Sequence, residues 1–173
     1  STQQNSPVTV NGVSGAVAVY AGNATSCALL NNGSMKCWGS GNNSIKGVPV
    51  SLDRLQISGI STATQVSANQ NHTCAVLNNN TIQCWGYGSN YVLGNGSQTN
   101  QITPVSVSSI STATQVSAGQ YHTCARLSDN TVKCWGNGGN GQLGNGSTST
   151  QSAPVSVSSI SNATQVSSGY NHS

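Results

Sequence analysis

A chain of 173 residues, long enough for one substantial domain, carries five Lys and Arg, two acidic residues (Asp53 and Asp129), no Glu and no Phe, for a formal net charge of +3. Two Asp standing alone do not offer the carboxylate pair of glycoside hydrolysis. The lack of a Lys/Arg cluster removes the footprint of a nucleic-acid binder, and no apolar run reaches the ~18 residues of a membrane span.

From the N-terminus, residues 6–19 (SPVTVNGVSGAVAV) match 153–166 (APVSVSSISNATQV), so an internal repeat runs from the start of the chain. Pro7-Val8-Thr9-Val10 takes the place of the strand that opens a unit. Ala-Thr-Gln-Val-Ser recurs at 63–67, 113–117 and 163–167, and Cys-Trp-Gly at 37–39, 84–86 and 134–136. Ungapped, 66–115 and 116–165 share 33 of 50 positions. The chain therefore divides into a degenerate first repeat (1–65), a second (66–115), a third (116–165) and the start of a fourth (166–173). Within a unit, residues 104–107 alternate as a strand does, 115–127 form a longer run of interleaved small and apolar residues, and 131–135 are β-branched and aromatic. Gly- and Asn-rich loops such as 136–146 separate them. No window shows the 3.6 period of an amphipathic helix. Short strands in a repeat of this length point to an all-β propeller blade rather than a shorter solenoid coil.

Each unit carries two Cys flanking nine residues: Cys27 and Cys37, Cys74 and Cys84, Cys124 and Cys134. A three-residue hairpin loop centred on Asn32, Asn79 or Asp129 would end on Gly33, Asn80 or Asn130. Gly and Asn suit the left-handed last position of such a loop. That register sets the two Cys of each unit opposite one another, close enough for a disulfide. The spacing is not that of a zinc site.

Val-Ser-Ala-Gly-Gln-Tyr-His-Thr-Cys-Ala-Arg-Leu, then Val-Lys-Cys-Trp-Gly, then Gly-Gln-Leu-Gly-Asn-Gly, within 116–146, resembles the regulator-of-chromosome-condensation repeat. The Cys-Trp-Gly form is similar to the variant of secreted bacterial proteins. The first unit departs from the pattern by lacking Leu-Gly-Asn-Gly. The resemblance implies a seven-bladed propeller with four-stranded blades. It implies no single function, since relatives include a nuclear exchange factor, a plant ultraviolet photoreceptor and a secreted β-lactamase inhibitor. With three Cys hairpins, and with Ser173 one residue short of the next Cys, the chain reads as a segment of a longer protein. Alone it would form no closed ring.

His72, His122 and His172 recur every 50 residues. Equivalent positions in adjacent blades diverge from one another, so hydrogen bonding is the expected role and no metal or cofactor is expected. Trp38, Trp85 and Trp135 are expected to pack within the blade beside the disulfide. No Gly-x-Ser-x-Gly elbow or phosphate loop is present, and the protein is read as non-enzymatic. Tyr87, Tyr91 and Tyr121 are the candidate ligand contacts, Tyr being a frequent interface anchor. Asn-x-Ser/Thr sequons make Asn23, Asn32, Asn42, Asn79, Asn95, Asn145 and Asn162 candidate glycosylation sites. Asn71 is a poorer one because a strand is expected there. Internal disulfides and few charges suit an extracellular or cell-surface module. It would bind a protein or a surface glycan, serve in adhesion, or assemble through its terminal strands into a filament. A secreted inhibitor or lectin-like binder is the alternative.

Overall fold

In the computed structural model, which describes residues 9–21, 25–39 and 55–173, the repeats fold into three four-stranded antiparallel blades. The first comprises β1 (Ala16–Ala21), β2 (Thr25–Leu30), β3 (Met35–Gly39) and β4 (Leu55–Gln56). The second comprises β5 (Ala63–Ala68), β6 (His72–Leu77), β7 (Ile82–Gly86) and β8 (Gln101–Ser106), and the third β9 (Ala113–Ala118), β10 (His122–Leu127), β11 (Val132–Gly136) and β12 (Gln151–Ser156). Each blade is a meander in sequence order. The expected all-β blade is what forms, and the chain is a partial propeller.

Turn chemistry fixes the register of the central hairpins. Asn80 N–H donates to the Leu77 carbonyl (2.9 Å) and Leu77 N–H to the Thr81 carbonyl (2.9 Å). The last loop residue is left-handed in each blade: Gly33 at φ 75°, Asn80 and Asn130 at φ 63°. The central residue clamps the loop. Asn32, Asn79 and Asp129 each accept, through Oδ1, the hydroxyl two residues on, from Ser34, Thr81 or Thr131, at 2.7 Å. The Thr131 hydroxyl and amide hold the Asp129 carboxyl below its ordinary range. The register that follows pairs Cys27 with Cys37, Cys74 with Cys84 and Cys124 with Cys134. All three pairs are disulfide-bonded, with Cα atoms 4.1 Å apart. Each closes a short loop and constrains the unfolded chain by roughly 2–3 kcal/mol.

Residues 115–127 do not form one run. Gly119-Gln120-Tyr121 break it into β9 and β10, with Gly119 N–H on the His122 carbonyl (2.9 Å). Small residues on both sides of the turn hide the reversal in the sequence pattern. Asn71 likewise lies in the turn before β6, not in a strand. The terminal segments also differ from expectation. Pro7 and Val8 lie outside the described residues, and Thr9 and Val10 enter a turn instead of a strand, with Val13 N–H on the Val10 carbonyl (3.3 Å). Residues 163–173 lie along blade 3 without strand pairing. Of the counterpart of β10 that would pair with them, only His172 and Ser173 are present.

Side-chain alternation gives each blade two faces. Cys74, Val76, Ile82 and Cys84 lie on one; Val66, Ala75 and Trp85 lie on the other. The cores form between blades. Val66, Ala75 and Trp85 of blade 2 pack with Cys27, Leu29, Met35 and Cys37 of blade 1. Val116, Ala125 and Trp135 of blade 3 pack with Cys74, Val76, Ile82 and Cys84 of blade 2. Trp85 and Trp135 are thus fully buried, but against the preceding blade rather than beside their own disulfide. A residue next to a Cys in a strand points away from it.

Candidate functional site

Two features organise the contacts between blades. The first is an amide and hydroxyl ladder between first strands. Val116 N–H donates to Gln65 Oε1 (2.9 Å) and Gln65 Nε2 to the Val116 carbonyl (3.1 Å). Ala118 N–H donates to Ser67 Oγ (3.0 Å). The same bonds recur one blade on, from Val166 N–H to Gln115 Oε1 and from Ser168 N–H to Ser117 Oγ, both 2.9 Å. This explains why Gln and Ser recur in Ala-Thr-Gln-Val-Ser. Blade 1 has Ala18 and Tyr20 at these places, and they pack against the apolar cluster between blades 1 and 2. Gln65→Ala should cost about 1–2 kcal/mol, since it orphans the Val116 amide. Gln115→Ala should chiefly speed hydrogen exchange at Val166. Denaturant unfolding and amide exchange measure the two effects.

The second feature is a histidine relay. The Thr123 hydroxyl donates to the Val92 carbonyl (2.9 Å). Its single proton is used there, so His72 Nε2 must donate to Thr123 Oγ1 (2.7 Å). This fixes the Nε2–H tautomer and leaves Nδ1 bare and buried. The Trp135 indole N–H shares the Val92 carbonyl (2.8 Å). One blade on, His122 Nε2 meets Ser173 Oγ at 2.7 Å. Burial, then the neighbouring His122, pushes the His72 ring down to about 3; burial above all pushes His122 to about 4. Both rings are neutral at neutral pH. Among the described residues no three His, Cys, Asp or Glu stand close enough to hold a metal ion.

These contacts align one face of the blades. The turns before β6 and β10 are tied together by Asn69 Nδ2 on the Ala118 carbonyl (3.2 Å), Asn71 Nδ2 on the Gln120 carbonyl (3.0 Å) and Gln120 Nε2 on Gln70 Oε1 (3.0 Å). The loops after β7 and β11 close the same face, with Tyr87 N–H on the Asn71 carbonyl (2.7 Å) and Asn137 N–H on the Tyr121 carbonyl (2.8 Å). Of the candidate tyrosines, Tyr87 and Tyr121 lie here, whereas Tyr91 lies farther along the loop after β7, in a segment packed against β11 and β12 of the next blade. Tyr87 is 42% exposed. Tyr91 is half-buried at φ 61°, ending a short 3₁₀ turn (Ser89–Tyr91). Tyr121 is half-buried and meets Tyr170 edge-on, with centroids 5.7 Å apart. Tyr170 was not among the sequence candidates, although it stands 49 residues after Tyr121 in the next copy of the same turn.

The opposite face carries the hairpin tips. Asn32 and Asn79 are exposed there, while Asn95 and Asn145 are half-buried in loops and Asn162 is exposed. Asn23 and Asn42 lie outside the described residues.

Two family models described as the regulator of chromosome condensation (RCC1) repeat match the chain. One matches residues 16–44, 63–91 and 113–142, the other 81–126 and 129–173. Each covers more than half of the chain. No curated protein matches it in sequence. Among solved structures, yeast RCC1 (Prp20) bound to Kap60 superposes with a TM-score of 0.80 at 16% identity, covering 95% of this chain and 41% of that one. Human WBSCR16 gives 0.77 at 19%, covering 90% and 42%. Saccharomyces cerevisiae Prp20p, in a study of its binding to Gsp1p and histones, gives 0.75 at 16%, covering 92% and 43%. The chain thus spans less than half the length of each of these propellers. In repeat pattern and in blade structure, the chain belongs to the RCC1 repeat family.

Proposed function

We propose that the chain is an extracellular or cell-surface, non-enzymatic binding module. It engages a protein or a surface glycan through the loops bearing Tyr87, Tyr91 and Tyr121, in adhesion or extracellular assembly. The observation that carries the compartment is the disulfide across the middle strands of every blade, since such bonds persist in oxidising surroundings. The binding role rests on the fold, which in yeast RCC1 (Prp20) accompanies binding to Kap60. The tyrosine face offers rigid aromatic anchors held by backbone bonds between loops. A secreted inhibitor or lectin-like binder would use the same face. Asn32 and Asn79 are the proposed glycan carriers. Each is exposed, with Oδ1 engaged in its turn. Asn71 is the poor carrier, because its Nδ2 is already bonded to the Gln120 carbonyl.

Two measurements test this reading. Alkylation of freshly lysed native material before reduction should leave all six Cys unmodified; free thiols would overturn the extracellular assignment. A glycan array and a pull-down from surface and secreted proteins should yield a ligand. Its binding should fall at least tenfold in the Tyr87→Ala/Tyr121→Ala double variant. Equal binding by both forms would remove the tyrosine face.

A further inference from the structure

Two glutamines meet where blades 2 and 3 adjoin, on the face that carries the turns before β6 and β10. Gln120 Nε2 donates to Gln70 Oε1 at 3.0 Å. The backbone of Gln120 is fixed on both sides, its N–H on the Gly169 carbonyl (3.2 Å) and its carbonyl under Asn71 Nδ2 (3.0 Å). Gln120 is 7% exposed, while Gln70 lies open to solvent. A primary carboxamide has two N–H donors and an oxygen with two lone pairs, so one shared bond leaves capacity on both residues. Gln70 Nε2 and Gln120 Oε1 take no hydrogen bond among the described residues, and Gln120 Oε1 is not sealed from water. A donor and an acceptor therefore stand on either side of one bond, held in place before any ligand arrives. The repeat does not require the pair. Fifty residues after Gln120, the same place in the turn is taken by Tyr170.

Aromatic rings flank the pair. Tyr121 follows Gln120 in the chain, and Tyr87 N–H is bonded to the carbonyl of the same Asn71 that reaches Gln120. Charge is absent. No Lys, Arg, Asp or Glu occurs in 55–125 or in 134–173. Among the described residues Lys36, Arg126, Asp129 and Lys133 carry the charges of those types, and all four sit at or near the hairpin tips of the opposite face.

We infer that this site takes a neutral saccharide, with two adjacent ring hydroxyls on Gln70 Nε2 and Gln120 Oε1 and the C–H face of the sugar against a tyrosine ring. A vicinal diol can accept at one oxygen and donate from its neighbour, which complements the free donor and acceptor. The hydrogens on the sugar's carbons are weakly positive, and the face of an aromatic ring is negative. Phosphorylated, sulfated or uronic glycans call for Arg or Lys, and calcium-bridged sugar binding calls for carboxylates. Neither is found on this face among the described residues. The inference rests on the binding module proposed above and narrows its ligand to one class.

The test uses the 173-residue protein on immobilised polysaccharides: a mannan, a galactan and an amylose as neutral chains, heparin and polygalacturonate as charged ones. Biolayer interferometry is expected to show saturable binding to a neutral chain, unchanged by EDTA and by raising salt across roughly 0.05–0.5 M. Periodate cleaves the carbon–carbon bond of vicinal diols, so treating the polysaccharide with it should abolish binding. Gln70→Glu keeps an oxygen for Gln120 Nε2 but removes the free N–H donor. It should weaken binding at least tenfold without moving Tm, and Gln70→Ala, at the same exposed position, should do likewise. Absence of binding to every neutral chain, equal binding by both variants, or stronger binding to heparin or polygalacturonate would overturn the saccharide assignment. A protein bound through Tyr87 and Tyr121 while no polysaccharide binds would overturn it too, and would leave the binding module standing. Failure to bind either kind of ligand would remove both.

Discussion

Trp135→Ala should lower stability by about 3–5 kcal/mol, the range for deleting a buried aromatic side chain. For a chain of this size that is a fall in Tm of roughly 6–20 °C. The reason is placement. The indole is fully buried between two blades and donates to the Val92 carbonyl at 2.8 Å. Its removal empties the cavity built by Leu93, Val107 and Val116 and loosens the apolar packing of blade 3 on blade 2. Trp135→Phe keeps much of the packing and loses the bond, so its cost should be roughly half. Trp38→Ala should cost far less, because Trp38 is only half-buried. Calorimetry of the three variants decides the matter. Equal losses at Trp38 and Trp135 would mean that the tryptophans stabilise their own blades.

Acid should destabilise the protein through two histidines. His72 and His122 are buried and neutral, with ring pKa values pushed down to about 3 and about 4 from 6.5. The unfolded chain binds these protons at higher pH than the folded one. Their contribution is therefore fully present above pH 6.5 and is lost as pH falls through 4 to 3, by about 1.4 kcal/mol per pH unit for each histidine. The chain has only two acidic side chains, so carboxylate protonation contributes little above pH 4. Urea midpoints between pH 7.5 and 4 should decline steeply, and His72→Gln should flatten the lower part of the curve. A flat profile in the wild-type chain would contradict neutral burial.

What the sequence revealed was local, and what it hid lay between repeats. The hairpin register followed from loop residues with known conformational preferences, Gly33, Asn80 and Asn130, and brought each Cys pair together. The split of 115–127 into β9 and β10 was hidden because Gly119-Gln120-Tyr121 turns the chain without Pro or an Asn-Gly signal. Adjacency to a Cys in sequence points to packing beside the disulfide for Trp85 and Trp135, whereas strand alternation sends each indole to the opposite face. Gln65 and Ser67 were visible as a repeated phrase. Their role was not, since it consists of bonds to a strand some fifty residues away. Residue type alone singles out the tyrosines, and only the blade-to-blade alignment of the turns places Tyr87 and Tyr121 on one face.

Stacking of each tryptophan into the preceding blade is tested most directly by hydrogen exchange of the three indole protons, followed by NMR at neutral pH. The Trp135 proton, buried and bonded to the Val92 carbonyl, and that of the equally buried Trp85 should persist long after the Trp38 proton has exchanged. Exchange of the Trp135 proton as fast as that of Trp38 would contradict the inter-blade packing.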